Sequence, residues 1–374
     1  MRIVTLACLA VTLTTSQAAA QRQRIVPSEW REAQGWRTDW SNYILHPDSL
    51  TVTGDRDRIP SLDAPKFETI ASASRWLSDR EPVAVVSIDG DVRAYPIQIM
   101  SVHDIANDVV GETPVVVTFC ILCGSAMAFD RRFEGQLLEF SYAGALNNSN
   151  LVMYDRQTET LWGQAVGEGL IGEFAGKRLT FVPAPVMSFK EFRENQPDGR
   201  VLSRDTGFDR EYGRGRLTDY DTAPPIARVF RWNVDQRLEA KERVMVIEHG
   251  DDIVAVPYSA LSDRRVVATE VGGEEYVVLW GPGTASIYAE RTADGIDVGA
   301  AIAYSPVVDG RRLRFRAAEQ DGRFTDRETG STWTLAGHAV EGPLAGRALE
   351  PAMHGVHFWF VWAAYRPETR VVRR

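Results

Sequence analysis

The sequence predicts a β-rich α+β protein, in which two related lobes from an internal duplication carry short helices packed on antiparallel sheets. Two observations support this fold class. Short runs of β-branched and aromatic residues, bounded by Gly, Pro, Asn or Asp, recur along the chain and are typical of strands joined by turns. Several of these runs return in the same order in the second half, as a duplicated unit would produce.

The composition limits the class of protein. A chain of 374 residues with 44% hydrophobic residues is long enough for two ordinary domains, each with its own core. The formal net charge is −9, and Lys and Arg are scattered, which argues against nucleic acid or an anionic membrane as the main partner. No segment approaches the roughly 20 apolar residues of a membrane span, so we expect no integral membrane segment in the mature chain.

Residues 1–20 have the parts of a secretory signal peptide. Arg2 precedes an apolar core from Ile3 to Leu13, and three alanines, residues 18–20, precede the predicted cleavage before Gln21. We therefore predict a secreted or periplasmic protein, in a compartment where disulfides persist.

The mature chain is predicted to have four parts. They are an N-terminal arm that packs through its tryptophans (21–80), a first lobe (81–200), a linker or long loop rich in Arg, Asp, Gly and Pro (201–240), and a second lobe without cysteine (241–374).

Three sequence matches in the same order indicate the duplication. Residues 81–86 match 242–247, residues 155–162 match 326–333, and residues 175–179 match 345–349. One copy is therefore predicted to carry thiol chemistry, while the other serves as a scaffold or closes the site.

A predicted helix leads into the cysteine segment. Pro96 can begin a helix, and the apolar spacing predicts that it runs from Ile97 to Val110. His103 falls within its apolar stripe, whereas Asp104 and Asp108 are expected to face solvent.

The central stretch runs from Val115 to Asp130. A β-branched run leads into Cys120 and Cys123, the only cysteines after the predicted signal peptide, and Gly124 then turns the chain into a second apolar run. Such a pair can close as a disulfide or bind a soft metal as thiolates. A thioredoxin-like fold would need a long helix after Cys123, but the pattern there predicts strands. Because the disulfide would close a very small loop, a purely structural role is the weaker interpretation.

His103 is the candidate partner of the two thiols. A set of Cys120, Cys123 and His103 with a thioether from Met127 or Met153 would suit Cu(I), and with water it would suit Zn(II). The alternative is a core histidine that bonds to a backbone carbonyl or to Asp130. In the second lobe, His354 and His357 form another, weaker candidate pair for a metal.

Several polar and aromatic residues are candidates for binding a substrate: Asn107, Asn148, Ser149, Trp162 and Gln164. The amides of the polar loop at residues 147–150 can donate hydrogen bonds to a substrate or orient His103, and turn chemistry is the alternative for this loop. Trp162 and Gln164 are candidates for a wall of the site, and core packing is the alternative for the tryptophan.

These motifs carry a family resemblance. They are residues 103–108 (His-Asp-Ile-Ala-Asn-Asp), 120–131 with the two cysteines followed by Gly-Ser-Ala, 148–156 (Asn-Ser-Asn-Leu-x-Met-Tyr-Asp-Arg) and 161–164 (Leu-Trp-x-Gln). Across roughly residues 81–220 the chain resembles the bacterial and archaeal family catalogued as domain of unknown function 3179. That family commonly has Pro-Leu between its cysteines, where this chain has Ile121 and Leu122. The resemblance implies a fold and a site but no activity.

The residues therefore carry the functional prediction. We expect extracytoplasmic thiol–disulfide or thiol–metal redox chemistry at Cys120 and Cys123, tuned by His103, with an unknown small-molecule or protein thiol partner and a possible oxidoreductase activity. Two alternatives stay open. One is a copper- or zinc-binding protein without turnover, and the other is a non-catalytic binding or structural module with an inert disulfide.

Overall fold

The computed structural model describes residues 27–372, apart from the side chain of His354. The predicted signal peptide, residues 21–26 of the predicted N-terminal arm and the last two residues of the predicted second lobe lie outside this range. Strands dominate the described chain and its helices are short, in agreement with the predicted β-rich α+β class. No helix within residues 27–372 combines the length and the apolar character that crossing a membrane requires.

The N-terminal arm contains short elements, here named α1 (Pro27–Gln34), β1 (Thr51–Val52), β2 (Leu62–Asp63), β3 (Phe67–Thr69) and α2 (Ile70–Ala73), with a 3-10 turn at Pro47–Ser49. Trp30, Trp36 and Trp40 pack against one another with ring centroids 5.4 to 6.2 Å apart. Trp36 also contacts Tyr154 edge-on, so the aromatic cluster joins the arm to the following lobe.

Residues 82–202 form the elements β4 (Pro82–Ile88), β5 (Asp91–Pro96), α3 (Ile97–His103), β6 (Ile105–Val110), β7 (Thr113–Cys120), β8 (Ser125–Asp130), β9 (Arg132–Phe133), β10 (Gln136–Leu137), β11 (Phe140–Asn147), β12 (Asn150–Asp155), β13 (Leu161–Gly163), β14 (Glu168–Ile171), β15 (Phe181–Val182), β16 (Val186–Ser188), α4 (Phe189–Asn195) and β17 (Arg200–Leu202). Three five-stranded sheets result, in the orders β16-β4-β5-β17-β3, β15-β8-β7-β6-β2 and β1-β11-β12-β13-β14. Each sheet takes one strand from the arm.

Residues 243–371 form the elements β18 (Arg243–His249), β19 (Asp252–Pro257), α5 (Tyr258–Arg264), β20 (Val266–Val271), β21 (Glu274–Gly281), β22 (Ala300–Tyr304), β23 (Val307–Val308), β24 (Arg311–Arg312), β25 (Phe315–Ala317), β26 (Arg323–Asp326), β27 (Thr332–Thr334), β28 (Ala339–Glu341), β29 (His354–Phe358), α6 (Trp359–Tyr365) and β30 (Arg370–Val371), with a 3-10 turn at Thr292–Asp294. The main sheets have the orders β29-β18-β19-β30, β20-β21-β22 and β25-β26-β27-β28.

Irregular chain joins β17 to β18. It covers most of the predicted linker, residues 201–240, although the first two of these residues lie in β17. Tyr220, Val229 and Phe230 of this segment are buried. A core cluster also passes from one half of the chain to the other, because Phe358 and Phe360 pack with the side chains of β7 and β8. The two halves therefore share buried apolar surface.

The predicted helix from Ile97 to Val110 is wrong in its second half. The helix ends at His103, because Asp104 adopts a positive φ of 59° and its backbone N–H bonds to Met100. The remaining residues, Ile105–Val110, form β6 and pair with β7 along their whole length. Pairing with the central strand thus outweighed the helical spacing of the apolar residues.

The expectation that Asp104 and Asp108 face solvent is also wrong, because they are only 7% and 6% exposed. Asp108 accepts two hydrogen bonds from the Arg93 guanidinium, at 2.8 and 2.9 Å, and a third from the Tyr95 hydroxyl at 2.6 Å. A charged partner and a hydroxyl donor therefore make its burial tolerable.

A buried Asp caps the turn between two strands in each half of the chain. Asp326 accepts from the backbone N–H of Thr329 at 2.6 Å and from the indole N–H of Trp333 at 3.0 Å. Asp155 bonds to Trp162 in the same way, at 2.9 Å. Hydrogen bonds of this kind favour the ionised carboxylate.

We predict that Asp326→Asn lowers the free energy of unfolding by about 1–3 kcal/mol at neutral pH, because buried N–H donors lose a charged acceptor. Burial alone would raise the pKa of Asp326, but hydrogen bonds from Trp333 and Thr329 outweigh burial and lower this pKa below 3.8. The stabilisation is therefore complete above pH 3.8 and is lost as the pH falls towards the lowered native pKa. Urea unfolding at a series of pH values measures the difference in unfolding free energy between the unmodified protein and the variant. A difference that stays constant in acid would contradict this account.

Candidate functional site

The two cysteines lie in the loop between β7 and β8. Cys120 ends β7 and pairs with Ser125, the first residue of β8, and the backbone N–H of Cys123 bonds back to the Cys120 carbonyl at 3.1 Å. The two residues form a disulfide, with their Cα atoms 5.3 Å apart. Of the states that the sequence left open, the disulfide is the one present here.

Gly124 makes the turn possible. Its φ of +62° is a conformation that L side chains rarely adopt, and an added Cβ would lie 3.0 Å from the ring of Phe358. Glycine at position 124 therefore lets the disulfide loop pack closely against Phe358 of β29, where a side chain would collide with the ring.

Three consecutive carbonyls of this loop, those of residues 121–123, have donors from distant segments. The hydroxyl of Tyr288 donates to Ile121 at 2.6 Å, the hydroxyl of Tyr220 donates to Leu122 at 3.2 Å, and the backbone N–H of Phe358 donates to Cys123 at 2.8 Å. These donors belong to the second lobe and to the irregular segment before it. The second half of the chain therefore holds the disulfide loop in place.

The disulfide itself is buried. Cys120 is 3% exposed and Cys123 is 0% exposed. A second protein thiol cannot reach either sulfur in this conformation, because attack requires direct contact with the disulfide.

A polar side chain nevertheless contacts the pair. Asn150 places its Nδ2 atom 3.2 Å from the Cys123 sulfur. The orientation of the amide follows from the backbone N–H of Ala165, which can only donate and lies 3.1 Å from Asn150 Oδ1. The N–H₂ group of Asn150 must therefore face the sulfur.

Gln164, a predicted site residue, supports this arrangement. Its Oε1 accepts from Asn150 Nδ2 at 3.1 Å and from the Ser125 hydroxyl at 3.2 Å. Its Nε2 donates to the Thr118 hydroxyl at 3.1 Å. Gln164 thus holds the Asn150 amide in place, and Asn150 in turn contacts the Cys123 sulfur.

Asn148 and Ser149 were also predicted at the site, and they form the two-residue turn between β11 and β12. Their φ values are 42° and 69°, as a type I′ turn requires. The carbonyl oxygen of Ser149 lies 3.5 and 3.4 Å from the sulfurs of Cys120 and Cys123. The irregular segment holds this turn, because Ser149 donates its backbone N–H to Val229 at 2.7 Å.

Both ring nitrogens of His103 are hydrogen-bonded to residues other than the cysteines. Its Nδ1 lies 2.8 Å from the Pro60 carbonyl, which can only accept, so Nδ1 carries the hydrogen. Its Nε2 then accepts from the Tyr212 hydroxyl at 2.7 Å. Burial lowers the pKa of His103, in keeping with a neutral ring. This geometry matches the alternative of a core histidine bonded to a carbonyl.

Three other predicted residues lie in the packed interior. Asn107 bridges to Phe140, donating to its carbonyl at 2.8 Å and accepting from its N–H at 2.9 Å. Trp162 bonds to Asp155, and Met153 is fully buried in the main core. The structure does not bring these three side chains to the disulfide through any hydrogen bond.

The predicted metal set is not assembled in this conformation. Within residues 27–372, no group of three or more His, Cys, Asp and Glu side chains is placed to hold a metal ion. The cysteines are joined to each other, and both nitrogens of His103 have other partners.

A small cavity beside the disulfide loop lies next to a larger groove. A cavity of about 60 Å³ is lined by Phe119 and Gly124, and it shares Arg243 and Tyr258 with an open groove of about 830 Å³. Lys241 lines the groove. The smaller cavity touches the disulfide loop at Gly124, and neither cavity is lined by Cys120 or Cys123.

Lys241 contacts Tyr220, one of the residues that hold the disulfide loop. Its Nζ lies 2.8 Å from the centroid of the Tyr220 ring and donates to the Tyr220 carbonyl at 2.8 Å. Burial lowers the pKa of Lys241 to about 7. Tyr220 thus links the groove to the loop, because its hydroxyl bonds to Leu122.

Sequence reasoning omitted Asn150, Tyr220, Tyr288, Phe358 and Lys241 from the site. Asn150 had a signal, since it ends the polar run that closes the β11–β12 hairpin. The other four approach the loop from more than ninety positions away, as the Tyr220 and Tyr288 contacts illustrate with separations of 98 and 167. No local pattern marks such residues.

Comparison with known proteins gives one match. A family model described as "Protein of unknown function (DUF3179)" matches residues 56–369, which confirms the resemblance seen in the motifs. No curated protein and no solved structure matches the chain.

We predict that Tyr288→Phe lowers the free energy of unfolding by about 1–3 kcal/mol, because the Ile121 carbonyl loses its donor. It should also speed reduction of the disulfide in the folded protein by about fivefold, since the loop opens more easily. Denaturant unfolding and mass-monitored reduction by dithiothreitol measure the two effects.

Tyr304→Phe is the matched control. The Tyr304 hydroxyl is also buried and donates to a carbonyl, that of Leu335, at 2.7 Å. This variant should lose similar stability without faster reduction. Equal acceleration in both variants would mean that reduction follows global unfolding.

Proposed function

The chain belongs to the DUF3179 family of proteins of unknown function, and from this premise we propose that it performs reversible thiol–disulfide chemistry at Cys120 and Cys123 outside the cytoplasm. The observation that carries the proposal is the hydrogen bond from Asn150 Nδ2 to the Cys123 sulfur. The predicted signal sequence and the disulfide support an oxidising compartment, secreted or periplasmic.

Asn150 favours one sulfur as the leaving group. A hydrogen bond to the charged form of an acid lowers its pKa, so the amide stabilises a thiolate on Cys123. The Ser149 carbonyl can accept a hydrogen bond from the thiol of Cys120 in the reduced state. Asn150 therefore performs the tuning for which the sequence suggested His103.

The proposed reaction is a dithiol–disulfide exchange. The thiolate of a small dithiol attacks the Cys120 sulfur, a new S–S bond forms, and the Cys120–Cys123 bond breaks with its electron pair on Cys123. The second thiol of the dithiol then attacks the mixed disulfide and releases Cys120. The dithiol is oxidised to a disulfide, and the protein gains two electrons and two protons.

The partner of this exchange is a small molecule. Both cysteines are buried, so the surface of a folded protein does not reach the sulfurs. A small thiol needs only a local opening of the loop, on the side where Gly124 lines a cavity.

A second candidate function has its own support. The three carbonyls after Cys120 are all bonded, and the sulfurs are almost inaccessible, which favours a permanent structural clamp. In that case the disulfide would be reduced only when the protein unfolds.

The deciding experiment is reduction of the folded protein by dithiothreitol, followed by intact mass. We expect the protein to gain the mass of two hydrogens faster than it unfolds, with its circular dichroism unchanged. Reduction at the rate of global unfolding would overturn the redox proposal and favour the clamp. The Cys120→Ser and Cys123→Ser variants are the controls, because they lack this disulfide and should not gain mass through its reduction.

Asn150→Ala then tests the tuning. In the reduced protein, this variant should raise the pKa of the Cys123 thiol by about one unit, because a hydrogen bond to the thiolate is lost. The pH dependence of alkylation measures the change. Ser149→Ala is the control, since only the carbonyl of Ser149 touches the sulfurs, and the pKa should stay unchanged.

We also propose that the two lobes arose by internal duplication. The sheet orders β16-β4-β5-β17 and β29-β18-β19-β30 agree, and both combine two antiparallel pairings with a final parallel pairing. The Asp–Trp hydrogen bond also recurs at corresponding positions. A crystal structure in which the two lobes superpose strand for strand would support the duplication. A different strand connectivity in the second lobe would contradict it.

A further inference from the structure

A small cavity lies between β8 of the first lobe and β29 of the second, apart from the disulfide loop. Its volume is about 20 Å³, which holds a single water-sized atom or ion. Most of its lining is apolar, and its potential donor side chains are Met127, Met353, His357 and Glu248.

Because Gly355 has no side chain, a nitrogen of His357 and the sulfur of Met127 border the same empty space. A Cβ added to Gly355 would lie 2.7 Å from His357 Nε2 and 2.8 Å from Met127 Sδ. The nitrogen and the sulfur are therefore at most 5.5 Å apart, the sum of these two distances. Any larger residue at Gly355 would fill the space between them.

His357 differs from His103 in its lack of polar contacts. It is 1% exposed, and its Nδ1 has no hydrogen-bond partner among the described residues. The ring stacks on Trp362 with the centroids 4.7 Å apart. Nε2 is the ring atom that lies beside Gly355, so a ligand in the cavity would use the lone pair of Nε2, with the ring hydrogen on Nδ1.

The donor set is soft. Thioether and imidazole ligands suit Cu(I), whereas Ca²⁺ and Mg²⁺ require oxygen ligands. The carboxylate of Glu248 is already paired with Arg178 at 2.6 Å.

We propose that this cavity is a binding site for a monovalent copper ion, held by Met127 Sδ and His357 Nε2, with Met353 as a third ligand. Met353 lines the same cavity and is 45% exposed, so it stands at the solvent side, where an ion would enter. The ligands come from both lobes, and the site needs neither cysteine. It is therefore independent of the proposed thiol chemistry.

The test uses Ag(I), a redox-inert probe with the same ligand preference, on the full mature protein with its disulfide intact. We expect one equivalent to bind and to shift the side-chain nitrogen resonances of His357. Met127→Leu, a volume-conserving change, should weaken binding by about tenfold or more while the protein stays folded.

Met187→Leu is the matched control, because Met187 is also buried but belongs to a different core cluster. Its affinity for Ag(I) should equal that of the unmodified protein. A Cys120→Ser/Cys123→Ser double variant should also keep the site, which separates this result from the fate of the redox proposal. Absence of binding to the folded protein, or equal affinity in the Met127 and Met187 variants, would overturn the inference.

Discussion

The site depends on how the carbonyl groups of the disulfide loop find donors. The loop at the end of β7 pairs one of its peptide groups internally, the Cys123 N–H with the Cys120 carbonyl, and its next three carbonyls need donors from elsewhere. Tyr288, Tyr220 and Phe358 supply the missing donors. Because these residues lie in the second half of the chain, the cysteine pair has its present surroundings only when both halves are packed together.

A buried polar network accompanies this constraint. The backbone N–H of Ala165 fixes the Asn150 amide, and Gln164 accepts from the same amide that faces Cys123. In an apolar interior such hydrogen bonds are strong, and an unpaired member is costly. The network therefore provides a fixed donor at the sulfur, without the mobile charged group that an exposed thiol site commonly uses.

The two halves resemble each other in architecture but differ in what they contribute. Both contain the Asp–Trp hydrogen bond, and four strands of a sheet in the first half follow the order of the four-stranded sheet in the second. The first half carries the cysteines and Asn150, whereas the second half provides Tyr288 and Phe358 to the loop and His357 to a separate cavity. The shared core lies where these contributions meet.

The sequence by itself determined the features that depend on neighbouring residues. The β-rich class, the cysteine pair at a strand end and the polar turn at Asn148 and Ser149 follow from local patterns of side-chain size, alternation and turn preference. Only the tertiary structure decided where the helix ends, since pairing of β6 with β7 outweighs helical spacing after His103. It also decided that His103 bonds to Pro60 and that Tyr288 reaches Ile121 across 167 positions. Such contacts form because buried polar groups take whichever donors the folded chain brings near, and no local stretch encodes that proximity.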